Sequence, residues 1–137
     1  LPSESILTPH PGEFDRLFGP HDTRHQRMET AAQKAQQYKC IIILKGAHTL
    51  VATPNGQIFF NSTGNPGMAS GGAGDALTCI LLGLRAQGYS ATDTAILGVF
   101  IHGLAADCAL AQQSYESLLP QDMIQHLGQA FKEIHAA

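Results

Sequence analysis

The residues best suited to chemistry lie in one stretch, Asn61-Ser-Thr-Gly-Asn-Pro-Gly-Met-Ala-Ser-Gly-Gly-Ala-Gly-Asp75. Five glycines fall within these fifteen residues, directly ahead of an apolar run. Glycine admits the positive φ angles and close backbone approach that an anion cradle needs. The amides of Ala73, Gly74 and Asp75 stand at the expected start of a helix, where they have no intrahelical partner. With the helix dipole they form a site for phosphate. Asp75 itself has two readings. Asp is a favoured helix N-cap. A carboxylate beside a phosphate cradle can also take the proton from a hydroxyl that attacks phosphorus. A cap alone does not require so much glycine upstream. The stretch is not a P-loop, because Gly-Lys-Ser/Thr is absent. The order of its glycines and its context differ from the dinucleotide fingerprint.

Two shorter segments carry polar groups at element ends. In Thr8-Pro9-His10-Pro11-Gly12-Glu13, a strand turns into a helix with Pro11 at its first position and Glu13 suited to the helix dipole. In Leu44-Lys45-Gly46-Ala47-His48-Thr49, a lysine stands just past a buried strand, where it can meet phosphate as a point charge. Gly46 lets the backbone pass close to a ligand. An ordinary strand end with a solvated lysine is the alternative. His102 and Gly103, inside an apolar helix, read as tight packing with a satisfied imidazole. His21, His25, His126 and His135 have no spacing logic and read as surface. Cys40, Cys79 and Cys108 lie far apart in apolar contexts, without CxxC or metal-ligand spacing. They read as buried thiols of a reducing cytosol.

The elements that position these residues follow from pattern and punctuation. Ile6-Leu7 ends a strand, and Pro11 to Phe18 forms a short helix stopped by Gly19. Asp22 or Thr23 caps a surface helix that runs to about Tyr38. Cys40 to Leu44 is a fully buried strand. Thr49–Thr53 and Gln57–Asn61 flank Pro54-Asn55-Gly56 as a hairpin. Asp75 to Gln87 is apolar almost all round and reads as a buried helix stopped by Gly88. Asp93 to about Ala111 is a second apolar helix, with Leu97, Ile101, Leu104 and Cys108 on one face. A last helix covers Gln121 to about His135 on a stripe of Met123, Ile124, Leu127, Phe131 and Ile134. The arrangement is α/β, with an incomplete sheet, a β-hairpin and helices.

Composition removes several classes. The 137 residues suit one domain or a piece of one. They are 44% hydrophobic and 14% charged, which supports a core and excludes disorder. A net charge of -3 without a basic run leaves no footprint for nucleic acid. No window reaches the apolar length of a membrane span, and Leu1 to Leu7 does not form a signal peptide.

Gly72-Ala73-Gly74-Asp75 resembles the G-[AT]-G-D signature of ribokinase-like kinases. The longer string from Gly64 to Asp75 resembles, more specifically, the ADP- or ATP-dependent NAD(P)H-hydrate dehydratase branch of that superfamily. Pro9-His10-Pro11-Gly12-Glu13 is similar to that branch, where many superfamily kinases have Pro-Asn-x-x-Glu. Lys45 to Thr49 and Phe100 to Asp107 are similar to family segments too. The resemblance runs from Ile6 to about Asp122. It implies that residues 1–137 form the C-terminal part of a single ribokinase-like three-layer α/β/α domain. A complete domain is about twice as long, so the resemblance also implies a fragment, or a chain paired with its missing N-terminal half or with further copies of itself.

The function implied by the resemblance is repair of hydrated NADH or NADPH in the cytoplasm. A nucleotide, ADP or ATP, phosphorylates the hydroxyl that water has added to the nicotinamide ring; phosphate then leaves and the double bond returns. The resemblance makes Asp75 the catalytic base and places it beside the substrate with His10, Gly12, Glu13 and Asn65. Lys45, Gly46, Ala47, His48 and Thr49, with Gly72, Ala73 and Gly74, would hold the nucleotide. Mg²⁺ would neutralise the phosphates, bound to no side chain directly, with Glu13 acting through water. Ala73 replaces the usual threonine of the motif, and Cys79 stands where the family often has glycine. Two other readings stay open: a small-alcohol kinase of the hydroxymethylpyrimidine or hydroxyethylthiazole type, and a non-catalytic nucleotide-binding module.

Overall fold

The computed structural model of the chain describes residues 1–68 and 72–136. They fall into two compact units, Leu1–Asn61 with Ser90–Ile96, and Ser62–Tyr89 with Leu97–Ala137.

The first unit holds a four-stranded mixed sheet. Its strands are β1 (Ile6–Leu7), β2 (Ile41–Leu44), β3 (Leu50–Ala52) and β4 (Ile58–Phe60), lying side by side in chain order. β1 runs parallel to β2, and the crossover between them passes through α1 (Pro11–Phe18) and α2 (Arg24–Tyr38). β2, β3 and β4 are antiparallel, so Leu44, Leu50 and Phe60 form one cross-strand row and Ile42, Ala52 and Ile58 another. The face bearing Ile42, Leu44, Leu50 and Ala52 packs on Phe14 of α1 and on Ala31 and Ala35 of α2. Ile41, Ile43 and Val51 point to the opposite face and are buried as well. Burial on both faces accounts for the unbroken isoleucine run of β2. α2 has few large apolar residues, and its two alanines four apart let it lie close to the sheet. Fully burying Phe14 contributes roughly 1.5–3 kcal/mol.

Local chemistry sets the boundaries. Thr23 caps α2 by accepting the Gln26 amide at 3.1 Å, which decides between the two expected caps. The hairpin turns at Gly56, whose φ of 85° needs glycine. Thr53 Oγ1 accepts the Gln57 amide inside that turn. His21 does not lie free on the surface as expected. Its side chain is 8% exposed, held between Asp15 at 2.8 Å and Thr30 at 2.9 Å. Arg27 grips the same Asp15 with two hydrogen bonds, of 3.0 and 2.7 Å.

The second unit is helical. It contains α3 (Ala73–Ala86), most of α4 (Ala91–Ala109), α5 (Pro120–Gln125) and α6 (Leu127–Ala136). Ile80 and Leu84 of α3 pack with Ile101 and Ala105 of α4 and Ala130 of α6. α3 is less buried than its composition suggests: Leu82 is 71% exposed. Cys79, expected among the buried thiols, is exposed, while Cys40 and Cys108 are buried. The single last helix expected over 121–135 is two helices that divide at His126. The packing partners change across the division. Met123 belongs to a cluster with Ala106, Ala109 and Leu118. Leu127, Phe131 and Ile134 belong to the cluster of Ile80 and Ile101. The His126 imidazole meets the Asp122 carbonyl at 2.7 Å at the division.

Candidate functional site

Two groups of candidate residues occur, one in each unit. In the second unit, α3 opens at Gly72, which has φ 90° and makes no side-chain cap hydrogen bond. A Cβ there would also press on Pro120 Cγ at 3.3 Å. Ala73, Gly74 and Asp75 are the first three residues of the helix, and the Ala76 amide closes the first turn onto the Gly72 carbonyl at 3.1 Å. Asp75 is therefore not the N-cap. It is the third helical residue, exposed, with its carboxylate at the positive end of the helix dipole. The amides before it are unpaired within the helix and suit an anion. Ala69, Ser70 and Gly71 of the glycine stretch lie outside the described residues.

The start of that stretch is held against α4. Thr63 Oγ1 donates to the Phe100 carbonyl at 2.8 Å. The Gly64 amide donates to Asp107 Oδ2 at 3.0 Å, and Asn65 Nδ2 donates to Asp107 Oδ1 at 2.8 Å. Asn65 Oδ1 in turn accepts the Gly67 amide at 3.0 Å. Both ends of the Asn65 amide thus hold the turn. His102 is buried in the same helix.

In the first unit, His10 and Glu13 form a reciprocal capping box at the start of α1. His10 Nδ1 accepts the Glu13 amide at 3.2 Å, and Glu13 Oε1 accepts the His10 amide at 3.1 Å. A Cβ on Gly12 would stand 3.1 Å from His10 Cε1, so glycine leaves room for the ring. The His10 amide holds the Glu13 carboxyl below the usual range. Desolvation opposes the shift, and the nearby charges of His10, Lys45 and Arg16 reinforce it. Lys45 is anchored through its backbone, its amide donating to the Pro9 carbonyl at 3.0 Å.

Lys45, Gly46, Ala47 and His48 line a cleft of about 400 Å³ in the first unit. Arg24 and His25, at the start of α2, stand on its rim, and Met28, Leu50 and Phe60 form apolar wall. The Arg24 guanidinium donates to the His48 carbonyl and ties α2 to this loop. Thr49 lies at the loop's end, donating to the Gly46 carbonyl at 3.3 Å. A cationic rim over an apolar wall suits a ligand that joins a flat ring to phosphate. Arg24 and Phe60 are not legible as site residues in the chain, since their meeting with residues 45–48 depends on the crossover and the hairpin. Among the described residues, no three His, Cys, Asp or Glu side chains are grouped to hold a metal ion. None of the described helices is long and apolar enough to cross a membrane.

Comparison with known proteins gives a consistent result. The family model described as NAD(P)H-hydrate dehydratase matches residues 2–129. The bifunctional NAD(P)H-hydrate repair enzyme Nnr of Moorella thermoacetica is 44% identical over 124 residues, 89% of this chain and 23% of that protein. The ADP-dependent (S)-NAD(P)H-hydrate dehydratase of Bacillus subtilis is 36% identical over 129 residues, 93% of this chain and 47% of that protein. The chain thus spans about half, or less, of the length of these relatives. The crystal structure of the Bacillus subtilis ADP/ATP-dependent dehydratase, co-crystallised with ATP/Mg²⁺ and soaked with CoA, superimposes with a TM-score of 0.89 at 35% identity. That match covers 95% of this chain and 49% of the other. Arabidopsis thaliana ribokinase, at 19% identity, a TM-score of 0.54, and coverage of 90% of this chain and 40% of its own, shares the fold.

Proposed function

The chain belongs to the NAD(P)H-hydrate dehydratase family, and from that premise we propose that the protein returns hydrated NADH or NADPH to the reduced dinucleotide, using ADP or ATP as co-substrate. The observation that carries the reading is the start of α3: a positive-φ glycine, amides unpaired within the helix, and an exposed Asp75 in the first turn. This is the arrangement a phosphoryl transfer to a hydroxyl needs.

Asp75 takes the proton of the ring hydroxyl as its oxygen attacks the terminal phosphorus of the nucleotide. The bond from that phosphorus to the bridging oxygen breaks, leaving a shortened nucleotide. The ring carbon–oxygen bond then breaks, phosphate departs, and the neighbouring carbon loses a proton to restore the double bond. The amides of Ala73 and Gly74 stabilise charge on the transferred group. Lys45, Gly46, Ala47, His48 and Thr49 hold the nucleotide. The cationic rim and apolar wall of their cleft support this placement. The dinucleotide contacts proposed are His10, Gly12, Glu13 and Asn65, carried over from the family resemblance.

Mg²⁺ commonly binds through phosphates and water with one or two carboxylates, so a set of protein ligands is not needed to carry it. The cap of α1 uses Glu13 Oε1, and the Glu13 carboxylate would hold the metal through water. When bound, the ion would neutralise phosphate charge. Three free cysteines suit a reducing compartment, which supports a cytoplasmic site of action. β4 pairs on one side, with β3, and carries the exposed Phe60, which supports association along that edge. The kinase readings lose weight because the close relatives bear dehydratase names.

The test is direct. The protein at its full natural length is incubated with hydrated NADH, Mg²⁺ and ADP or ATP, and NADH absorbance is followed. Nucleotide-dependent recovery supports the proposal. Nucleotide binding without recovery moves the weight to a binding module, and turnover of a small alcohol in its place moves it to a kinase.

A further inference from the structure

The function proposed above uses the glycine stretch but says nothing of what holds it. In the second unit three consecutive residues of that stretch are fastened to one helix. Thr63 reaches the Phe100 carbonyl, and Gly64 and Asn65 share the two oxygens of Asp107. Between these anchors, at one helical turn from Asp107, lies Gly103. A Cβ on Gly103 would stand 2.2 Å from Thr63 Oγ1, 2.7 Å from the Thr63 carbonyl carbon and 2.8 Å from the Gly64 amide nitrogen. Two of those atoms are backbone and cannot rotate away. Gly103 therefore permits the contact and Asp107, four residues on, fastens it; i and i+4 share one face of a helix.

The donors and acceptors run in one direction. Asp107 can only accept, so Asn65 must present its NH₂ to it. That orientation turns Asn65 Oδ1 toward the Gly67 amide, which it accepts at 3.0 Å. Gly67 has no room for variation, since a Cβ would meet the Tyr115 carbonyl at 2.9 Å and Leu118 at 3.1 Å. One carboxylate thus sets the direction of a chain of hydrogen bonds running from α4 through Asn65 to the turn at Pro66–Met68.

We propose that Asp107 is a positioning residue for the glycine stretch that leads to Asp75, acting through Asn65 and the Gly64 amide. Asp107 touches no reacting atom. Its effect is to fix residues 63–67, the described start of the stretch that precedes the phosphate cradle. The proposal rests on the dehydratase reading for its effect on turnover, and on geometry alone for its effect on the loop.

A reciprocal exchange separates the two. Asp107→Asn places an amide donor against the donors of Asn65 and Gly64. If Asn65 then flips, its own NH₂ opposes the Gly67 amide, so one bond is lost in either state. Asn65→Asp places two carboxylates face to face. The double variant Asn65→Asp/Asp107→Asn restores every donor to an acceptor. The new side-chain amide on α4 donates to the new carboxylate in the loop and accepts from the Gly64 amide, and that carboxylate accepts from the Gly67 amide. Each protein is measured for nucleotide-dependent NADH recovery. Amide hydrogen exchange of the peptide covering residues 61–68 is measured without any substrate. Each single variant is expected to speed that exchange and lower kcat on the order of 10- to 100-fold, the scale of a misplaced catalytic geometry. The double variant is expected to regain the slow exchange, while its kcat also reads the loss of the proposed Asn65 contact to the dinucleotide. Slow exchange with kcat still low in the double variant supports Asp107 as positioning residue and assigns substrate contact to the Asn65 amide. Wild-type exchange in both single variants, or no recovery of slow exchange in the double, overturns the proposal. A wild-type protein that fails to recover NADH overturns the function reading instead, and the exchange data still decide on Asp107.

Discussion

His10 and Glu13 each complete the other's hydrogen bonding at the start of α1: Nδ1 of His10 accepts the Glu13 amide, and Oε1 of Glu13 accepts the His10 amide. With Nδ1 used as an acceptor, the ring proton sits on Nε2, which stands 3.3 Å from the same Oε1. One imidazole therefore caps a helix with one nitrogen, and the proposed function gives it a second role, contact with the dinucleotide. The side chain is 51% exposed, so a ligand can reach it.

These two roles can be pulled apart. Asparagine is among the best N-cap residues, and it lacks the imidazole. His10→Asn is expected to keep the melting temperature close to wild type and raise the KM for the hydrated dinucleotide. His10→Ala loses the cap as well, at a cost of about 1 kcal/mol. Calorimetry and steady-state kinetics on both variants check this. If His10→Asn leaves KM unchanged, His10 is a cap and nothing more.

Acid stability follows from the group around Asp15. The Arg27 guanidinium beside it holds the Asp15 carboxyl down to about 2 from an ordinary 3.8, desolvation opposes the shift, and the His21 hydrogen bond adds to it. A carboxyl lowered on folding stabilises the protein at every pH above its unfolded value, and the benefit is lost as pH falls from 3.8 toward 2. Asp15→Asn is expected to lower the melting temperature at neutral pH, and the gap from wild type to close across that acid window. Melting curves at a series of pH values read it. A gap that stays constant through the window would mean that the Asp15–Arg27 pair contributes little.

The difference between what the chain declares and what it conceals is one of range. β2 is legible because Ile41 to Leu44 is uniformly apolar, and burial on both faces asks for nothing else. The hairpin is legible because Pro54-Asn55-Gly56 carries its own turn chemistry. The α3 start is legible because a glycine run ahead of an apolar helix is a local feature. The division at His126 is not, since the apolar stripe runs on across it and only the choice of two different packing clusters separates Met123 from Leu127. The cleft is equally silent. Arg24 meets the His48 carbonyl because of how the crossover returns, and the two stand 24 positions apart in the chain. Asp107 left a fainter trace, four residues after a glycine on an apolar helix, which reads equally well as packing.

Asp75 is the residue on which the proposed mechanism turns, and its position makes a clean test possible. It is exposed and is not the helix cap, so exchanging its carboxylate for an amide of the same shape removes no buried contact. The expected stability loss is small, about 0.3–1 kcal/mol for one charge at a helix N-terminus. In the proposed function nucleotide binding is assigned to the amides of Ala73 and Gly74 and to residues 45–49, none of which changes. A general base is worth on the order of 10²–10⁴ in rate. Asp75→Asn is therefore expected to lower kcat for NADH recovery by that scale while the nucleotide Kd moves within a few-fold. Titration calorimetry with ADP and ATP, beside the turnover assay, separates the two quantities. Turnover preserved in Asp75→Asn removes this carboxylate from the proton transfer. Kd and kcat lost together make it a binding group, whose charge organises the cradle before any chemistry begins.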